Sequence, residues 1–198
     1  MKLGIMGGTF DPIHFGHLHV AHAAIREAGL NSVLFLPDGD PPHKIPKTPA
    51  GKRLEMIRLA IAPEPAFWVT DMEIKRKGRT YTVDTLLALK QQAPERALVY
   101  LIGSDTLFLF PTWRTAEKVA QLCSMLVVMR EGDKEEQVRA EQTQLQERFG
   151  LQSKLLHARG LPVSSSQVRR ACRQGQDLNS LVPPEVAAYI EHQGLYAS

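Results

Sequence analysis

The chain has 198 residues, 43% hydrophobic and 23% charged, a balance that excludes a disordered segment, a collagen-like repeat and a bare coiled coil. Lys and Arg total 24 against 21 Asp and Glu, a net charge of +3, which suits an acidic ligand but falls short of a nucleic-acid footprint. The length predicts one domain, 1–198, with a core that folds without metal or disulfide staples. Cys123 and Cys172 stand far apart with no Cys-x-x-Cys, so the expected setting is reducing and cytoplasmic. The apolar runs Ala97–Ile102 and Met125–Met129 are far below the ~18 residues of a membrane span, and the N-terminus lacks a signal peptide's apolar core. Neither a membrane nor a nucleic-acid partner is expected.

Lys2 to Met6 reads as a short strand ending at Gly7-Gly8. Leu18, Ala21, Ile25 and Ala28 then fall at helical spacing, with Gly29 as the stop. Ser32 to Leu36 is a buried strand closed by Pro37. Asp38 to Ala50 carries Pro41, Pro42, Pro46 and Pro49, a density that only a loop accommodates. Arg53 to Ala62 is predicted helical and Phe67 to Ile74 a strand, with Trp68 in the core. Thr82 caps a helix running to Gln92, and Ala97 to Ile102 is another buried strand. Trp113 to Leu122 is predicted helical, Met125 to Met129 a strand, and Asp133 to Arg148 a solvated helix. Lys154 to His157 supplies a last strand, and helices from Ser165 and from Pro183 form a small C-terminal helical part, about 165–198. Strands alternating with helices predict an α/β fold with a mostly parallel sheet. Such sheets bind ligands beyond the carboxyl ends of their strands.

The first such loop is Gly7-Gly8-Thr9-Phe10-Asp11-Pro12-Ile13-His14-Phe15-Gly16-His17. Adjacent glycines let backbone N–H groups approach a ligand that a Cβ would block. The helix starting near Gly16 aims its partial positive end into the same crevice. His14 and His17 add donors whose charge can respond to a phosphate. No G-x-G-x-x-G and no Gly-Lys-Ser/Thr is present, so neither the dinucleotide fingerprint nor the P-loop applies. A Gly-Gly turn and a capping histidine explain the same residues, so spacing alone leaves turn and phosphate site both open. His14 and His17 have a spacing that could suit a metal, but only Asp11 extends the set, and no metal site is expected.

This loop resembles the signature of the nucleotidylyltransferase superfamily, whose His-x-Gly-His core is matched by His14, Gly16 and His17. A second signature, Ile-Ser-Ser-Thr-x-Ile-Arg, is similar to Val163-Ser164-Ser165-Ser166-Gln167-Val168-Arg169, with Ser166 replacing Thr. Pro41-Pro42-His43-Lys44, Tyr81-Thr82-x-x-Thr85, Ile102-Gly103-Ser104-Asp105, Phe110-Pro111-Thr112-Trp113 and the closing Gly194-Leu195-Tyr196 all resemble the bacterial nicotinate-mononucleotide adenylyltransferase family. The resemblance covers essentially the whole chain. It implies a Rossmann-like parallel sheet with helices on both faces, and a reaction of nicotinate mononucleotide with ATP that releases pyrophosphate.

By that resemblance His17 and His14 contact the ATP phosphates, with Gly7, Gly8, Thr9 and Phe10 beside them. Ser164, Ser165 and Arg169 bind the triphosphate from the late helix, although plain N-capping would also explain the serines. Gly103 and Asp105 meet the adenosine, and Lys44 with His43 reaches the phosphates from the proline-rich loop. Trp113 stacks on the pyridine ring, while Thr82 and the N–H groups of Val83 and Arg114 receive its carboxylate. Mg²⁺ is implied as a companion of ATP, held by substrate oxygens and water. Self-association is left open. Related adenylyltransferases using nicotinamide mononucleotide or phosphopantetheine are the nearest alternatives, and a nucleotide sensor that kept the fold is the alternative of another class.

Overall fold

The computed structural model describes residues 1–39, 46–76, 78–130, 132–158 and 161–197. In chain order the strands are Lys2–Gly8 (β1), Ser32–Pro37 (β2), Phe67–Val69 (β3), Ala97–Gly103 (β4), Ser124–Val128 (β5) and Ser153–Leu156 (β6). The helices are Phe15–Ala28 (α1), Ala50–Ile61 (α2), Met72–Lys75 (α3), Thr82–Gln92 (α4), Ser104–Leu109 (α5), Ala116–Leu122 (α6), Glu135–Phe149 (α7), Ser165–Arg173 (α8) and Pro184–His192 (α9). The strands form one sheet of order β3-β2-β1-β4-β5-β6, and every pairing is parallel.

Alternation within the strands divides the core in two. Met6, Val33, Phe35, Leu101, Leu126 and Val128 point to one face, where α1, α2, α8 and α9 cover them. Leu3, Ile5, Leu36, Leu98, Ile102, Met125 and Val127 point to the other, beneath α4, α5, α6 and α7. Strands apolar on both faces are what a sheet covered on both sides requires. The chain leaves β1 in one direction and returns at β4 to run the other way, so the switch point lies between β1 and β4. There the helices on either side diverge and leave a crevice. No helix among the described residues is long and apolar enough to cross a membrane.

Four local expectations are corrected. The strand from Phe67 stops at Val69, because Thr70 and Asp71 start the short helix α3, where the Thr70 hydroxyl accepts from the Met72 N–H at 3.3 Å and Lys75 pairs with Asp71 at 3.0 Å. Trp68 is 60% exposed, not core: β3 is an edge strand, and only its Phe67 face is covered. The helix expected from Trp113 begins at Ala116, since Trp113 is extended and Thr115 is left-handed at φ 52°. Tyr81, not Thr82, occupies the N-cap of α4. Gly29, at φ 62°, does end α1 in the left-handed cap that glycine favours.

Candidate active site

A cleft of about 1460 Å³ opens at the carboxyl ends of β1, β4 and β5, lined among others by Gly7, His14, His17, Thr82, Tyr100, Gly103, Trp113, Arg130, Ser164 and Arg170. It sits over the switch point, so the sheet topology alone carries these distant residues to one place.

Local sterics explain the first motif. His14 caps α1 in an extended conformation, and the His17 Nδ1 accepts from the His14 N–H at 3.2 Å. The two rings stack with centroids 3.7 Å apart. A Cβ on Gly16 would come within 2.9 Å of His14 Nδ1 and 3.2 Å of the Val163 carbonyl, so glycine is what lets the ring and the second motif close over the helix start. A Cβ on Gly7 would fall on the Tyr100 hydroxyl, whereas one on Gly8 would meet only ordinary contact with Phe10. Phe10, left-handed at φ 49°, buries its ring edge-on against His17 at 4.9 Å.

Burial sets the charge state of the first histidine. His14 is 6% exposed, and burial holds its ring down at about 4, so it is neutral at pH 7 in the free protein. Its Nδ1 is buried and has no hydrogen-bond partner among the described residues. That nitrogen is closed to solvent and faces Gly16 at the start of α1, a buried polar atom left without a partner there.

Of the second motif, Ser164 caps α8 through a reciprocal box with Gln167, at 3.2 and 2.6 Å. Ser165 donates to the Pro12 carbonyl at 2.9 Å, and Arg169 donates to the Asp11 carbonyl at 2.6 Å and the Ser166 hydroxyl at 3.0 Å. Ser165 and Arg169 thus clamp the two motifs together, while Ser164, Gln167 and Arg170 line the cleft. Asp105 is not among the cleft-lining side chains; it pairs with Arg130, which is, at 3.0 Å, both side chains being more than half exposed. Gly103 permits that pair, since a Cβ there would lie 2.5 Å from the Asp105 carboxylate.

At the far end Trp113 leans edge-on against Tyr100 at 6.0 Å and tilts on Phe110 at 5.5 Å, presenting the rest of its ring to the cleft. Thr82 opens α4 there, and the Val83 side chain is buried beside it. The Arg114 guanidinium lies over the Tyr81 ring at 4.5 Å and is not among the cleft-lining side chains. His43 and Lys44, with Pro41 and Pro42, lie outside the described residues.

Sequence reasoning missed the supports. Arg53, 1% exposed, donates to the Thr9 and Thr48 carbonyls and to both the carboxylate and the carbonyl of Asp38. The Thr9 hydroxyl also donates to Asp38 at 2.9 Å, so Thr9 is held from two sides. Ser104, fully buried, donates to Asp133, whose carboxylate also accepts from the Arg130 N–H at 2.6 Å. The only available signal was a charge at a core-facing helical position in α2.

The cytidylyltransferase-like family model matches residues 5–171. A probable nicotinate-nucleotide adenylyltransferase of Dehalococcoides mccartyi is 44% identical over 202 residues, covering 99% of this chain and 97% of its own. The chain belongs to the nicotinate-nucleotide adenylyltransferase family. Its relative of the same name in Symbiobacterium thermophilum is 40% identical, covering 98% of this chain and 95% of its own. Among solved structures, a Plasmodium falciparum nicotinic acid mononucleotide adenylyltransferase complexed with NaAD superposes with a TM-score of 0.81 at 21% identity, covering 99% and 97% of the two chains. At that identity the likeness is one of fold, the α/β nucleotidyltransferase fold of this family.

Proposed function

We propose that the protein joins nicotinate mononucleotide to the AMP moiety of ATP, releasing pyrophosphate and forming nicotinate adenine dinucleotide in the cytoplasm, with the whole chain acting as one unit. The observation that carries this reading is one continuous cleft with a phosphate-type helix start and two stacked histidines at one side and an aromatic platform, Trp113, at the other. The names borne by the full-length relatives support the same substrate pair.

The acceptor's phosphate is already an anion, so no side-chain nucleophile and no strong base is required. Its oxygen attacks the α-phosphorus in line, and the bond from that phosphorus to the bridging oxygen of pyrophosphate breaks. The chain's task is alignment and stabilisation of phosphate charge. His17, with the α1 N–H groups, faces the α-phosphate, and His14 donates through a ring that phosphate binding charges. Arg170 supplies a cleft-facing cation for the leaving pyrophosphate. Asp105 accepts from the ribose, Trp113 stacks on the pyridine ring, and the N–H groups at the start of α4 receive its carboxylate. Mg²⁺ enters as part of the ATP substrate. The described residues hold no group of three His, Cys, Asp or Glu that would bind it alone, and a donor-rich cleft suits a metal held by phosphate oxygens.

The test is pyrophosphate release from Mg-ATP with nicotinate mononucleotide, nicotinamide mononucleotide and phosphopantetheine supplied singly, each product weighed by mass spectrometry. Strong preference for the first is expected, and His17→Ala should lower its turnover about 100-fold or more. Release with no acceptor, or equal release with the amide, overturns the assignment of substrate.

A further inference from the structure

Asp11 lies in the first loop at 2% exposure, and the reaction asks nothing of its carboxylate. Three distant segments nevertheless end on it. The Tyr196 hydroxyl donates to its Oδ1 at 2.6 Å, the Lys47 N–H to its Oδ2 at 2.6 Å, and Arg169 to its carbonyl at 2.6 Å. Tyr196 arrives from 185 residues away, near the end of the chain. Its backbone is left-handed at φ 62°, as is that of Gly194 at φ 59°. A tyrosine adopts that conformation only against steric cost, and the turn delivers its ring, 9% exposed, into the core between α8 and the loop. Cys172, on α8, donates to the Leu195 carbonyl at 3.1 Å and holds the tail down independently.

Asp11 is three residues before His14, and the next residue, Pro12, takes the Ser165 hydroxyl. The carboxylate therefore joins the phosphate-facing loop, the end of the proline-rich loop and the C-terminal tail at one buried point, while its own carbonyl takes α8. Buried charge-assisted bonds of this length have steep geometry. Loss of one donor would leave a carboxylate oxygen unpaired, and the loop would shift to satisfy it. A displacement of about 1 Å at the histidines is enough to spoil alignment for transfer.

We propose that Tyr196 is a positioning residue for the ATP phosphate site: its hydroxyl, acting through Asp11, sets the register of the loop that carries His14 and His17. This rests on the adenylyltransferase reading, and it makes the closing Gly194-Leu195-Tyr196 part of the working machinery.

The experiment compares wild type, Tyr196→Phe and Cys172→Ala as full chains. KM for ATP and for nicotinate mononucleotide, kcat and Tm are measured, together with equilibrium binding of a non-hydrolysable ATP analogue. Tyr196→Phe keeps the ring in the core and removes only the hydroxyl, with its bond to Asp11 and its contact with the buried Thr48. It should weaken ATP binding about tenfold, the factor of a lost bond to a buried charge, with KM for the mononucleotide changed less than about twofold. Cys172→Ala releases the other anchor of the tail and should lower Tm without changing KM for ATP. If Tyr196→Phe lowers Tm and leaves ATP binding unchanged, the tail is a strap and the proposal fails. It also fails if Cys172→Ala weakens ATP binding equally. Should Tyr196→Phe not fold, Asp11→Asn, which turns an amide group onto the Lys47 N–H or the Tyr196 hydroxyl, must weaken ATP binding, and unchanged binding is refutation. The analogue-binding arm reads the inference even if wild type transfers to a different acceptor.

Discussion

Replacing Arg53 by methionine keeps the volume of the side-chain stem and removes every donor it supplies. The guanidinium is 1% exposed and makes four hydrogen bonds of 2.6 to 3.1 Å, one of them to the Asp38 carboxylate at 2.9 Å. Removing one partner of a buried ion pair costs about 3–5 kcal/mol, because the other charge stays behind unpaired. Here the Asp38 side chain is 19% exposed and keeps the Thr9 hydroxyl at 2.9 Å. Water and that hydroxyl compensate part of the loss, which points to the lower end, about 3 kcal/mol. For a chain of this size the corresponding fall in Tm is about 6–12 °C. Urea unfolding at constant m-value measures the change. Arg58→Met is the matched control. Its 3.4 Å pair with Glu55 is 55% and 42% exposed, and its removal should cost no more than about 0.5 kcal/mol. If Arg53→Met costs less than about 1 kcal/mol, or no more than Arg58→Met, the buried clamp is not what holds Thr9 and Asp38 together.

His14 makes stability depend on pH. Its folded-state value of about 4 lies below the ordinary 6.5, so the unfolded chain takes up the proton first as pH falls. The contribution is complete above pH 6.5 and is lost between 6.5 and about 4, worth about 3 kcal/mol. Urea unfolding across that window should show wild type losing about that much more than His14→Gln, and parallel curves would mean the ring is not buried in solution. Trp113→Ala should raise KM for nicotinate mononucleotide about tenfold, the scale of one lost aromatic stack, with KM for ATP within about threefold. Equal rises for both substrates would remove Trp113 from the pyridine site.

The two-faced sheet was legible because its cause is local. Continuous apolar runs such as Ala97–Ile102 and Met125–Met129 dictate strands buried on both sides, and helical spacing between them dictates crossovers. The motifs around His14 and Val163 were legible as residue types, and glycine's missing side chain accounts for the Gly16 position. Where local signals misled, a neighbour distant in sequence decided. Trp68 sits in an apolar run like a core residue, yet β3 falls at the sheet's edge and leaves it 60% exposed. The run from Phe67 to Ile74 has strand composition, yet Glu73 is drawn inward to the Thr85 hydroxyl at 2.7 Å and the segment coils into α3. Lengths, periods and turns follow from interactions within a few residues, so the chain's order of elements and the loops after its strands are written in it directly. The state of His14, the clamp at Arg53 and the junction of Tyr196 with Asp11 are not. Burial and pairing of a charge depend on which remote groups the topology brings within about 3 Å, and only the tertiary structure decides that.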